Sequence, residues 1–192
     1  MKKLFFTVAV AASSLMIAQQ FGAKAGLNIS TIGGNDNLNQ SSKAGFYAGL
    51  FMNAPLAANF SIQPEILYNN LGAKIDDAVE AKVNLDYISV PVMFQYNATP
   101  KFYLEAGPEF SFLINTKVTS DDAGVEAAGN ALINDDTIKG FNFGAGIGAG
   151  YWFTPNIGLN ARYVAGFTDI VKDNTDEAAR NNNFQVGLAY KF

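Results

Sequence analysis

A two-residue period at the C-terminus narrows what this chain can fold into more than any other feature. From Asn183 to Phe192, the residues Phe184, Val186, Leu188, Tyr190 and Phe192 share one parity, while Gln185, Gly187, Ala189 and Lys191 share the other. Successive side chains of a strand point to opposite faces, so this segment has one apolar, aromatic face and one polar or small face. Hydrophobic residues make up 49% of the chain. Even so, no apolar run after the first eighteen residues approaches the length of a membrane-crossing helix. If such a chain enters a membrane, it does so as strands closed into a barrel, because lipid cannot satisfy an open backbone edge.

The same alternation recurs upstream and predicts seven more strands. The first runs from Gly22 to Thr31, with Ala23, Ala25, Leu27 and Ile29 on one face. The second, Lys43 to Asn53, carries aromatics on both faces. In the third, Asn59 to Leu71, Phe60, Ile62, Pro64, Ile66 and Tyr68 oppose Ser61, Gln63, Glu65 and Asn69. The fourth, Val83 to Tyr96, turns Ile88, Val90, Val92, Phe94 and Tyr96 one way and Tyr87, Ser89, Pro91, Met93 and Gln95 the other. The fifth, Lys101 to Ile114, sets Phe102, Leu104, Ala106, Phe110 and Phe112 against Tyr103, Glu105, Gly107, Glu109 and Ser111. The sixth, Lys139 to Phe153, alternates aromatics and alanines with Asn142 and four glycines. The seventh, Ile157 to Thr168, opposes Leu159, Tyr163 and Phe167 to Asn160 and Arg162. Pro64, Pro91 and Pro108 count against central strands, and bulges are expected at them.

Short turns at 54–58, 97–100 and 154–156 alternate with long polar loops at 32–42, 72–82, 115–138 and 169–182. That pattern predicts an all-β fold, an eight-stranded antiparallel up-and-down transmembrane β-barrel with both termini at the turn end. Aromatics on the apolar parity fall at two levels, Phe60, Tyr96, Phe102, Tyr151, Phe153, Tyr190 and Phe192 low, and Tyr68, Phe112, Phe141, Phe167 and Phe184 high. These are expected as interfacial girdles.

The opposite parity collects Lys24, Glu65, Glu105, Glu109, Arg162 and Lys191 inside the barrel, with Gln63, Asn69, Gln95, Asn142, Asn160 and Gln185. A soluble lipid carrier would show the reverse, an apolar lumen and a polar exterior. Eight strands enclose a space that side chains can fill, so the lumen is expected to be plugged. Charges buried there must be paired, and the six are expected to form one structural ion-pair network. Two glutamates and a base could instead form a glycosidase or proton-relay site.

Composition removes much other chemistry. The chain has no Cys and no His. Nucleophilic triads, ordinary zinc sites, disulfides and lipid anchoring through cysteine are therefore excluded, and no catalytic residue, metal or cofactor is assigned. A net charge of −4 gives no electrostatic case for nucleic acid. Gly144, Gly146 and Ala149 satisfy a G-x-G-x-x-A count, but no helix-opening pattern follows them. The acidic pairs Asp76-Asp77, Asp121-Asp122 and Asp135-Asp136 lack EF-hand spacing and read as solvated loop charge. Asn28, Asn39, Asn59 and Asn97 begin N-x-S/T triplets that read as chance.

The N-terminus has the layout of a secretory signal: Lys2 and Lys3, an apolar run from Leu4 to Ile17, and Ala18 before Gln19. Cleavage after Ala18 is expected, leaving residues 19–192 as one barrel domain.

With these features the mature chain resembles the small outer-membrane barrels of Gram-negative bacteria, the OmpA-transmembrane and OmpX-like type. Its phrasing is similar to the PorT-type barrels of the Bacteroidetes: G-A-K-A-G-L-N at Gly22 to Asn28, Q-P-E-I-L-Y at Gln63 to Tyr68, L-D-Y-I-S-V-P-V at Leu85 to Val92, and G-P-E at Gly107 to Glu109. The resemblance implies an outer-membrane location in contact with lipid, both termini periplasmic, and, in some members, an accessory role in protein secretion. It also implies that Tyr190 and Phe192 form a terminal signal read by the barrel assembly machinery. The expected role is structural and non-enzymatic. The alternatives are adhesion or protein binding through the four loops, and a narrow pore.

Overall fold

The structure, a computed structural model, describes residues 19–33, 40–76, 80–132, 138–169 and 179–192. The expected signal segment, residues 1–18, lies outside these, as do 34–39, 77–79, 133–137 and 170–178 within the four expected loops.

All eight expected strands form: β1 (Gln20–Gly33), β2 (Gln40–Ala57), β3 (Phe60–Asp76), β4 (Glu80–Asn97), β5 (Phe102–Ser120), β6 (Phe141–Trp152), β7 (Ile157–Gly166) and β8 (Arg180–Lys191). Each pairs antiparallel with its neighbours in chain order, and β1 pairs with β8 from Gly22↔Lys191 to Gly33↔Arg180, closing the ring. The parities hold. Tyr47 and Phe51 point inward while Phe46 and Leu50 point outward, which settles the face of β2. The predicted aromatic levels lie on the outer surface, exposed except for the half-buried Tyr68, with Phe60 against Tyr96 and Tyr190 against Phe192 at one end, and Phe112 against Phe141 at the other.

Two of the short turns share a Thr-Pro sequence and the same closure. Thr99 Oγ1 accepts from the Phe102 N–H at 2.9 Å, and Thr154 Oγ1 accepts from the Ile157 N–H at 2.9 Å. A hydroxyl standing in for a backbone acceptor tightens each turn.

β1 to β5 and β8 are longer than the alternation suggested, while β6 and β7 are shorter, ending at Trp152 and Gly166. β3 and β4 stay paired out to Asp76↔Glu80, and β4 and β5 to Ala81↔Ser120, through segments expected to be loops. The reason is apolar patterning beyond the membrane level: Leu71, Ala81, Val83, Leu85, Tyr87 and Val118 form a buried cluster on the inner face of this raised wall. β6 and β7 have only 12 and 10 residues. One side of the barrel therefore stands well above the other at the loop end.

The 115–138 segment is also not all loop. A helix, α1 (Ala123–Leu132), follows β5, with Asp122 Oδ1 accepting from the N–H groups of Gly124 and Val125 at 2.8 and 3.2 Å. That is an N-cap, which satisfies two donors the first turn leaves open. Asn130 on α1 donates to Val118 O at 3.0 Å and accepts from Val118 N at 2.8 Å, so its amide takes the place of a neighbouring strand on β5.

Pro64, Pro91 and Pro108 do not produce bulges. Phe51↔Glu65 and Ala54↔Ile62 keep one register across Pro64, and the same holds across Pro91 and Pro108 in the next two ladders. Each proline removes a donor and leaves a gap of two residue pairs without shifting the alignment. The true irregularities lie elsewhere, between Ser42 and Tyr47, between Pro55 and Ala57, and between Asp86 and Tyr87. At the first of these, Ser30 of β1 reaches past β2 to β3. Its hydroxyl donates to Gly72 O at 2.8 Å and accepts from Gly72 N at 3.0 Å, and Gly72 has φ 136°. Lys43 fills the same gap, its Nζ donating to Leu71 O at 3.0 Å.

Candidate functional site: the charged lumen

Inward positions on the odd-numbered strands carry the lumen's central charges: Lys24 on β1, Glu65 on β3, Glu105 on β5 and Arg162 on β7. Arg162 is the node. Its Nε donates to Glu105 Oε1 at 2.8 Å, Nη1 to Glu65 Oε2 at 3.0 Å and Nη2 to Glu65 Oε1 at 2.8 Å, with Nη2 also 2.7 Å from Glu105 Oε1. Lys24 Nζ approaches Glu65 Oε1 at 2.7 Å. Gln63 and Gln95 complete the set, donating to Glu65 Oε1 at 2.8 Å and to Glu105 Oε2 at 3.0 Å. All four carboxylate oxygens accept bonds, and the two positive and two negative charges balance. Such pairing is what lets ions persist away from water. Neither glutamate is left free to act as an acid or base.

Of the six residues expected in one network, the structure brings these four together and leaves two apart. Glu109 lies four residues beyond Glu105 on the same strand, too far along it to join the bridge. It is buried, its Oε1 accepts from Ser111 Oγ at 3.3 Å, and its Oε2 has no partner. Ser111 sits 2.7 Å from Ser89, which accepts from Asn69. Lys191 lies at the turn end, where its ammonium stacks over the Trp152 ring at 3.8 Å. It is a cation–π partner and not a member of the ion cluster.

The lumen's aromatic fillers carried no marked signal in the sequence. Trp152 and Tyr103 pack together at the turn end, with ring centroids 6.4 Å apart. Tyr47 donates to Asn160 Oδ1 at 2.8 Å across the barrel. The inward glycines make room for such rings: a Cβ on Gly150 would fall inside the Tyr103 ring, and one on Gly22 inside that of Phe51. The available clue was the pairing of large inward aromatics with inward glycines on facing strands. Among the described residues, no group of three or more acidic side chains could hold a metal ion.

Aromatic belts outside and a plugged, charge-balanced interior are the marks of a small membrane barrel. The sequence matches the profile of the outer membrane protein beta-barrel domain over residues 12–172. The chain belongs to that family. This outer membrane barrel is similar in structure to Neisserial surface protein A at 15% identity, with a TM-score of 0.55, covering 91% of this chain and 99% of that one. It is also similar to Ail of Yersinia pestis, seen in complex with the heparin analogue sucrose octasulfate, at 12% identity and a TM-score of 0.52, covering 92% and 100%. At such identities the likeness speaks to the fold alone. No curated protein matches the sequence. Membership of the family places the barrel in the bacterial outer membrane.

Proposed function

We propose that this outer membrane barrel is a closed, non-conducting body that serves the integrity of the envelope, with its turn end and both termini in the periplasm and its loop end outside. The observation that carries this is the Arg162 node, which joins β1, β3, β5 and β7 across the centre of the lumen. Water-filled passage would need that node to open, and its four buried charges hold one another closed. Planar-bilayer recording of the refolded protein tests the reading: a flat baseline is expected, and steady, reproducible conductance steps would overturn it.

A second reading, surface binding through the loop end, is favoured by one specific feature. The raised wall of β3 to β5 and α1 share an apolar cluster, with Val125 and Ala179 packed against it, so this end presents a built platform. Ail, of similar fold, binds a sulfated heparin analogue. Replacing residues 121–137 by a Gly-Ser linker should abolish pull-down of surface partners and spare assembly; retention of partners refutes this reading. The resemblance to PorT-type barrels adds a secretion-accessory role as a third possibility, which co-purification with envelope secretion components would test. Tyr190 and Phe192, exposed and in ring contact at 6.0 Å, are proposed as the segment read by the assembly machinery.

A further inference from the structure

The lumen is satisfied on one side of the Arg162 node and not on the other. Toward the turns, Ser61, Gln63, Gln95 and Asn160 are buried and all hydrogen-bonded. The described buried side chains with a polar atom lacking a partner are Asn28, Tyr87, Glu109, Thr116, Asn181 and Asn183, and every one lies toward the loops. Asn28 follows Lys24 on β1, Glu109 and Thr116 follow Glu105 on β5, and Asn183 stands two residues loopward of Gln185, the partner of Arg162.

Three of these border one recess. Glu109 pairs with Gly144, Gly144 pairs with Gly166, and Gly166 abuts Asn181. The row from β5 to β8 thus has an unpartnered side chain at each end and none between. Gly150 and Gly22 face rings, but the atoms nearest a Cβ on Gly144 or Gly166 are backbone only. Asn183, opposite Val164, bounds the recess one inward position from Asn181. Glu109, Asn181 and Asn183 are only 2–3% exposed, and the atoms left open are Glu109 Oε2, both amide atoms of Asn181 and Asn183 Oδ1.

Glu109 cannot satisfy itself in either form. Ionised, its Oε2 lacks a donor; protonation there only exchanges a missing donor for a missing acceptor. The four charges of the node cancel without it. Lys43, the other buried cation on the loop side, spends its ammonium on Asn70 Oδ1 and Leu71 O at the β2 to β3 wall. Glu109 therefore leaves this part of the lumen one positive charge short. Open oxygens are the ligands of a hard cation, and where calcium sites draw on several carboxylates, a single charge is balanced by a monovalent ion. Three strands at about 4.8 Å each separate Glu109 from Asn181, so an ion held by one reaches the other through water.

We propose that the recess holds a hydrated alkali-metal ion, with Glu109 Oε2 as its ligand and counter-charge and Asn181 and Asn183 contacting it through water.

The test follows thermal unfolding of the refolded barrel by circular dichroism in a zwitterionic detergent, in sodium, potassium or N-methylglucammonium chloride at one ionic strength. Sodium or potassium should raise the unfolding temperature saturably over the bulky organic cation. At ten times the dissociation constant, the folded-to-unfolded ratio should rise about elevenfold. Glu109→Gln should be at least as stable as the wild type in the organic cation and should lose the response to the metals. Asp121→Asn, altered at an exposed acid, should keep it. Equal responses in wild type and Glu109→Gln, no response in either, or a response to calcium alone would overturn the proposal. Position is read independently by anomalous diffraction from wild-type crystals soaked in thallium(I) acetate. A peak beside Glu109 is expected, and thallium at the surface only would overturn the assignment, whether or not the glutamine variant folds.

Discussion

Arg162 and Glu65 meet across the full width of the barrel, joined by two hydrogen bonds of 3.0 and 2.8 Å although 97 residues separate them in sequence. The pair is bidentate, the geometry in which a guanidinium recognises a carboxylate best. Its neighbours Lys24 and Glu105 depend on it, since Arg162 supplies the only cation bridged to Glu105 among the described residues.

Arg162→Leu should therefore strip Glu105 of its counter-charge and leave Glu65 with Lys24 alone. Breaking a buried pair from one side costs about 3–5 kcal/mol. The boiled-to-unboiled transition on a detergent gel should fall clearly in temperature, and Arg162→Lys should recover part of the loss because it keeps the charge without the fork. An unchanged transition in the leucine variant would show that the node does not hold the barrel.

Glu105→Gln and Glu109→Gln should behave differently, although both replace a buried carboxylate on β5. The first breaks the balance around Arg162 and should destabilise. The second removes a charge with no bridge and an oxygen with no partner, so stability should hold or rise. Equal losses from the two substitutions would contradict the separation of Glu109 from the cluster.

Gly150→Ala places a methyl group where the Tyr103 ring lies, and overpacking of this kind costs about 1–3 kcal/mol. Shrinking the ring in the Gly150→Ala, Tyr103→Leu double variant should return part of that cost. A double-mutant cycle on unfolding in detergent measures the coupling, and strict additivity would mean that ring and glycine are independent.

Trp152 is the only tryptophan in the chain, so its fluorescence reports on the turn end without ambiguity. Removing the ammonium that covers it, with Lys191→Met, should change its emission and increase its quenching by acrylamide, at a stability cost of about 0.5–2 kcal/mol. Identical spectra would place Lys191 elsewhere.

Asn130→Ala should leave the membrane-embedded barrel intact and loosen only the loop end. Hydrogen exchange at the Val118 amide should speed up, because that donor loses its acceptor. If Val118 stays protected, α1 does not seal the edge of β5.

The strand count, the faces and the residues that line the lumen were legible because a two-residue period is written into every strand, down to Phe184 and Gln185 in the last one. What the period could not show was distance. Glu105 and Glu109 share a face and look equivalent in sequence, yet only Glu105 falls at the level of Arg162, because the stagger between strands decides which inward residues meet. Lys191 was misread for the same reason, since its parity is right and its height places it on Trp152. Strand ends beyond Leu71 and Ile114 were obscured by the loop-like Asn, Asp, Gly and Lys residues there, which pair well once Leu85 and Val118 have something to pack on. In α1, the alanines and the capping Asp122 were the available signal, diluted by Gly124, Gly129 and Asn130. The expectation of bulges at Pro64, Pro91 and Pro108 failed because a missing donor need not displace a register.

The charges at the centre of the lumen come from alternate strands only, so no hairpin of neighbouring strands contains even one of the opposite-charge pairs. A half-built barrel would carry Glu105 into lipid with Arg162 still absent and Glu65 held by Lys24 alone, and the unmatched carboxylate weighs against that intermediate. The cluster thus acts as a check on completeness: it penalises a sheet that has reached β5 and is satisfied only when β7 arrives. Membrane insertion should accordingly proceed as a single concerted step, with stable fragments lacking the last two strands failing to accumulate.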